Sequence, residues 1–128
     1  MQTPVQWAQS LNHIFIEVRY AHRHDAPGCT RLEDENIEIE ARMIKLSVLC
    51  IEANSKVKYH LRLNLWDQID TNQSKNEYQA VGKQHFTLKK ARSPARWAQL
   101  YAEGDEKPIN YRLWLYHHER NVGSLWEF

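Results

Sequence analysis

Between residues 57 and 65 the odd positions read Val57, Tyr59, Leu61, Leu63 and Leu65, and the even ones Lys58, His60, Arg62 and Asn64. A two-residue period puts all five apolar residues on one face, whereas the helical positions 57, 60, 61, 64 and 65 collect only three. The stretch predicts a strand with one buried face. Ile14, Ile16, Val18 and Tyr20 alternate with Phe15, Glu17, Arg19 and Ala21 and predict a second strand. Ile37, Ile39 and Ala41 alternate with Glu38, Glu40 and Arg42 and predict a third. At Met43 the phase flips, and Ile44, Leu46, Val48 and Cys50 share a face. A one-residue slip turns every side chain over, so a tight turn or bulge is expected at Arg42-Met43.

Further strands are expected at residues 78–81 and 84–89, with Gly82 in the bend, and at residues 5–9, pairing back through a turn at Asn12-His13. Loops fall at Ala26-Pro27-Gly28, at Asn54-Ser55, and across residues 67–76, rich in Asp, Asn, Gln and Ser. Only residues 95–102 suggest a helical turn. Short strands at regular spacing, without a long helical pattern between them, predict an all-β fold: an antiparallel β-sandwich of about seven strands.

The order of these elements resembles the CS domain. This is the β-sandwich of the small co-chaperone of the ninety-kilodalton heat-shock chaperone and of the nuclear-distribution proteins. VQWAQSLNHIFIEV opens the pattern with Trp7; IKLSVLC, YHLRLNLWDQID and QHFTLKKARSPARWAQL follow in the family's order. The co-chaperone's Trp-Pro-x-Leu-Thr-Lys-Glu aligns with residues 97–103, where Trp97, Leu100 and Glu103 match while Ala98, Tyr101 and Ala102 depart. The stretch is closer to the looser Trp-x-x-Leu of CS modules carried on larger proteins. The resemblance covers residues 5–103 as one domain, leaving 104–128 as a C-terminal extension with an aromatic segment at 111–116 suited to an added strand. It implies a non-enzymatic, co-chaperone-like interaction module that binds a heat-shock chaperone or client proteins. The alternative is a structural or targeting lobe of a larger enzyme or membrane protein, and the end at Trp126-Glu127-Phe128 reads as a domain cut from something longer.

Composition narrows the classes. The 128 residues include five Trp and six Tyr, with 17 basic and 16 acidic residues. That excludes wholesale disorder, and a net charge of +1 supplies no general attraction to polyanions. No apolar run approaches the roughly 18 residues that cross a bilayer. Gln2, Gln6, Gln9 and Asn12 do not suit a signal peptide's apolar segment. Cys29 and Cys50 read as two reduced thiols in a cytoplasmic protein. A bridge in an oxidising compartment is the alternative, and there Asn72-Gln73-Ser74 becomes a glycosylation acceptor.

The sequence offers no nucleophile elbow, no phosphate-cradling glycine loop and no four-ligand zinc set, so neither cofactor nor metal is expected. His22-Arg23-His24-Asp25 is the best metal-like cluster and reads as a solvated loop; His117-His118-Glu119 is weaker, and His60 is expected to be exposed. Two charge runs remain. Glu33, Asp34, Glu35, Glu38 and Glu40 come without a base between them; Lys83, Lys89, Lys90, Arg92 and Arg96 come without an acid. The basic run, lacking an RNA-binding signature, reads as a protein-docking surface, not a nucleic-acid one. The expected partner-binding residues are therefore Lys89, Lys90 and Arg92, with Trp97, Leu100, Tyr101 and Glu103 from the segment after the last strand. At helical spacing Trp97, Leu100 and Tyr101 project from one side. The alternative for Trp97 and Leu100 is a lid folded over the open end of the core. Trp7 and Trp66 are expected in the core.

Overall fold

In an antiparallel pair the numbers of facing residues have a constant sum, and that sum decides which positions share a face. The computed structural model describes residues 2–24, 26–52, 55–79, 81–108 and 111–114. Its strands are β1 (Val5–Gln9), β2 (His13–Arg19), β3 (Leu32–Glu40), β4 (Met43–Glu52), β5 (Ser55–Asn64), β6 (Ile69–Gln79), β7 (Lys83–Lys90) and β8 (Tyr111–Leu113). Ile39 faces Ile44 and Ile37 faces Leu46, so odd positions on β3 share the interior with even positions on β4. The two-residue connection Ala41-Arg42 produces the phase flip that the sequence shows. The next hairpin switches parity again: Ile44 faces Leu63, and Leu46 faces Leu61.

Two sheets result, one ordered β6-β7-β2-β1-β8 and the other β3-β4-β5. All pairs are antiparallel except β8, which lies parallel to β1. Between the sheets lie Ile14, Ile16 and Val18 of β2, Phe86 and Leu88 of β7, Ile44, Leu46, Val48 and Cys50 of β4, and Tyr59, Leu61 and Leu63 of β5, all buried. Trp7 is in this core, and Trp66 packs against it half-buried.

Three local expectations are corrected. Residues 69–79 form one strand where a loop was expected over 67–76. This is an edge strand whose backbone ladder to β7 needs no apolar side chains, and only Ile69 is buried. The loop-like composition marks the irregularity between Asp70 and Lys75, where Ser74 Oγ donates to Asp70 O (2.7 Å) and accepts from Lys89 N (2.9 Å). Residues 95–102 form no helical turn. Their backbone groups bond elsewhere: Ala95 N to Leu11 O at 3.0 Å and Ala102 N to Asn64 O at 2.9 Å. Lastly, Cys29 and Cys50 are joined in a disulfide, their Cα atoms 6.2 Å apart. Cys50 faces Leu32 across the ladder, and the chain before Leu32 brings Cys29 back to β4, held by its N–H on Tyr20 O at 2.9 Å. Sequence spacing carries no trace of that proximity.

Leu61 is 3% exposed while Arg62 beside it is exposed on the surface. Thermal melts should show Leu61→Ala losing about 2–5 kcal/mol and Arg62→Ala losing no more than about 0.5 kcal/mol; equal losses would mean that the register is off by one. The bridge closes a sequence separation of 21, which in the chain-entropy account is worth roughly 3 kcal/mol. Replacing both cysteines with alanine should lower the denaturation midpoint accordingly, without changing the native β-sheet spectrum.

Candidate interaction cleft

The last inward position of β7 is Lys90, 1% exposed, after Gln84, Phe86 and Leu88 on the same face. Its ammonium donates to Gln9 Oε1 (2.9 Å), Ser10 O (2.7 Å) and Ala95 O (2.6 Å), so all three N–H groups are used. Gln9 completes the node: its Oε1 also accepts from Trp97 N (2.9 Å), and its Nε2 donates to Trp97 O (2.8 Å). Burial, with Lys89 adding repulsion, pushes the Lys90 ammonium down to about 8.

This node pins residues 91–102 across the end of the sandwich. The segment leaves the five-stranded sheet at Ala91, whose N–H bonds Gln68 O at 3.0 Å, and passes the end of β5, where Leu100 O accepts from Trp66 N at 2.9 Å. Trp97 (2% exposed) and Leu100 (0%) belong to the core as the lid. Beside the segment opens a cleft of about 500 Å³, lined by Trp7, Gln9, Arg96, Trp97, Ala98 and Leu113 among others. Tyr111 stacks on Trp7 with ring centroids 6.4 Å apart and meets Tyr101 edge-on at 5.6 Å, so β8 fixes one wall.

The structure disperses the other residues singled out in the sequence. Lys90 is interior. Lys89 is half-buried on the outer face of the five-stranded sheet, with Nζ on Ser93 Oγ at 2.8 Å. Arg92 is exposed, with Nε 3.9 Å from Asp67 Oδ2. Tyr101 is half-buried, and Glu103 is exposed in a turn. The basic run is therefore not one surface. His22 lies edge-on to Tyr59 at 6.3 Å, and the His24 carbonyl accepts from the Arg19 guanidinium; Asp25 and residues 117–119 lie outside the described residues. Among the described residues the one ligand cluster is Cys29, Cys50 and Glu52, whose sulfurs are bonded to each other. Sequence reasoning missed Gln9 and Arg96 as cleft residues; Gln9, a polar residue at an inward β1 position, was the available signal.

No family model matches the chain, and no curated protein does. Among solved structures, heat shock protein 16.0 from Schizosaccharomyces pombe is similar, with a TM-score of 0.55, 8% identity, and coverage of 85% of this chain and 75% of that one. Stress-induced protein 1 from Caenorhabditis elegans is similar at a TM-score of 0.49 and 9% identity, over 80% of this chain and 100% of that one. What the chain shares with heat shock protein 16.0 at 8% identity is the fold. Among the described residues no helix is long and apolar enough to cross a membrane.

The Lys90 node fixes a pH dependence. Between about pH 8 and pH 10 the unfolded chain keeps a proton on Lys90 that the folded chain has released, so stability rises with pH, by up to about 1.4 kcal/mol per unit. Above pH 10 the unfolded tyrosines ionise, whereas burial holds Tyr20, Tyr59 and Tyr111 (the last pushed up to about 12) neutral in the fold, so stability falls. A melting series should peak near pH 10. Lys90→Met, which takes away the titrating group, should remove the rise while leaving the fall.

Proposed function

We propose that this domain is a non-enzymatic protein-interaction module of the chaperone system, engaging a heat-shock chaperone or its client proteins and using neither cofactor, metal nor nucleic acid. One observation carries the reading: the end of the sandwich presents a cleft walled by two tryptophans and an arginine, with Leu113 at its rim, 42% exposed. Those are the residue types in which interface hot spots are rich. The heat-shock-type sandwich and the CS-like order of elements support the same reading. Residues 5–103 are taken as the unit that binds, with 104–128 as an extension that lends the cleft one wall.

In this reading Trp97 is a wall of the site, Leu100 and Lys90 hold that wall, and Arg96 is its charged contact, whereas Tyr101, Glu103, Lys89 and Arg92 do not line the cleft. The module acts by binding one conformational state of its partner more tightly than another, which shifts the partner's equilibrium. The Cys29–Cys50 bridge favours an oxidising compartment over the cytoplasm expected for free thiols. There Asn72, exposed on the edge strand β6, is placed to accept a glycan.

The test uses the purified ninety-kilodalton chaperone with and without ATP, and a thermally unfolding client followed by light scattering. The domain should bind the ATP state or suppress client aggregation. Ala98→Trp, which fills the cleft from an exposed position, should weaken that activity about tenfold or more with an unchanged melt. Trp97→Ala is unsuited to the test, since removing a buried Trp typically costs about 3–5 kcal/mol. A domain inert in both assays, or an Ala98→Trp variant as active as its parent, would favour the structural or targeting lobe.

A further inference from the structure

The cleft makes no use of the outer face of the three-stranded sheet, and that face has a distinctive charge pattern. The ladder places Glu33, Glu38 and Glu40 of β3 along one edge, with Glu33 also paired to Arg31 at 3.3 Å, and Lys56, Lys58 and Arg62 of β5 along the other, all exposed. Between them β4 turns out Met43, Lys45, Ser47, Leu49 and Ile51, half-buried apart from Lys45. Acidic and basic edges are thus separated by two strand spacings, roughly 10 Å, comparable with the screening length at about 0.1 M salt.

We propose that a second copy of this chain docks face to face on this sheet, related by a two-fold axis parallel to the strands. A uniformly acidic partner gains at β5 and loses at β3, and a basic one does the reverse. A partner that gains at both edges must carry the same two stripes in the opposite order. Rotation about the strand direction supplies that order: β3 of one copy lies over β5 of the other, and the β4 stripes meet at the centre, where Lys45 faces its own mate with Glu38 beside it across the ladder in each copy. The contact is isologous and closes as a dimer.

Edge-to-edge pairing of β3 with β5, the other complementary arrangement, is obstructed. The β5 edge is already engaged at His60 O by Thr3 N (3.4 Å) and at Asn64 O by Ala102 N (2.9 Å). Three strands of about ten residues present roughly 500 Å² per copy. The total of roughly 1,000 Å² lies at the small end of specific interfaces. The dimer is therefore weak, and its stability depends on the charged edges more than on the β4 stripe, where only Met43, Leu49 and Ile51 are apolar. This inference is independent of the cleft.

Sedimentation of the full chain over a concentration series tests it. At about 10 mM salt, where screening reaches only beyond about 30 Å, the mass should climb from one chain toward two, and about 0.5 M salt should weaken association at least about tenfold. Lys56→Glu with Arg62→Glu makes both edges acidic, and Glu38→Lys with Glu40→Lys makes both basic. Each pair alone should stay monomeric at low salt, and an equal mixture should form a mixed dimer. All four changes together restore the parent's net charge and reverse the stripes, so self-association should return. The four sites are exposed, and melts close to the parent's will confirm folding. A parent that stays monomeric at low salt, or edge-reversed variants that associate as well as the parent, would overturn the proposal.

Discussion

Lys90 ends β7 on the inward side because strand alternation leaves it there, behind Gln84, Phe86 and Leu88. An ammonium in that position carries a large desolvation penalty unless each N–H finds an acceptor. Here the acceptors come from three places: the side chain of Gln9 on β1, the carbonyl of Ser10 in the β1–β2 turn, and the carbonyl of Ala95 in the crossing segment. One charged group therefore ties β7, the first hairpin and the closing segment together. Gln9 then fixes both backbone groups of Trp97, which sets the indole at the cleft wall. A buried amine of this kind is weak support for net stability, because an apolar residue of similar volume removes the desolvation cost. What it specifies is the path of residues 91–102, which have no regular ladder of their own.

The opposite device holds the connection between β2 and β3. There the constraint is covalent and steric. Cys29 is bonded to Cys50, and the chain before it runs against the β6–β7 turn so closely that a Cβ on Gly28 would lie 2.2 Å from the Val81 carbonyl oxygen. Gly82, at φ +66°, answers from the other side, its absent Cβ 2.7 Å from Cys29 N. Tyr20 N donates to Gly82 O at 2.7 Å, and Tyr20 O accepts from Cys29 N at 2.9 Å, so Tyr20 is clamped between both partners. Neither constraint exposes a cleft. The amine-pinned segment instead lies beside the cleft of about 500 Å³.

Alternation was legible wherever one face of a strand meets the core. β2, β4 and β5 declare themselves through Ile14, Ile16 and Val18, through Ile44, Leu46 and Val48, and through Tyr59, Leu61 and Leu63. β6 hid because an edge strand satisfied by backbone bonds leaves no hydrophobic signature; its Asp, Asn, Gln and Ser residues also suit turns. The closing segment misled in another way. Trp97, Leu100 and Tyr101 have helical spacing, but the groups that would close a helical turn bond to Gln9, Leu11 and residues of β5 far away in sequence. The disulfide and the cleft depend on such distant meetings as well, so only the lid alternative, and not the pocket beside it, was readable from order alone.

Charge shows the same limit. The run from Lys83 to Arg96 is continuous in sequence, yet a strand sends neighbours to opposite faces, so Lys89 and Lys90 are separated by the sheet itself. Lys56, Lys58 and Arg62 are interrupted by Val57, Tyr59 and Leu61, and so draw no attention as a run; alternation brings them onto one face. In a β-sandwich, then, a charged surface is announced by every second residue, not by consecutive ones. By that rule the acidic stretch of β3 is both: Glu38 and Glu40 share the outer face with Glu33, while Asp34, at φ 53° in the irregularity between Glu33 and Asn36, shifts the register so that Glu33 regains the face. The irregularity at Asp34 thus keeps the acidic edge in phase along the strand, opposite the cations of β5.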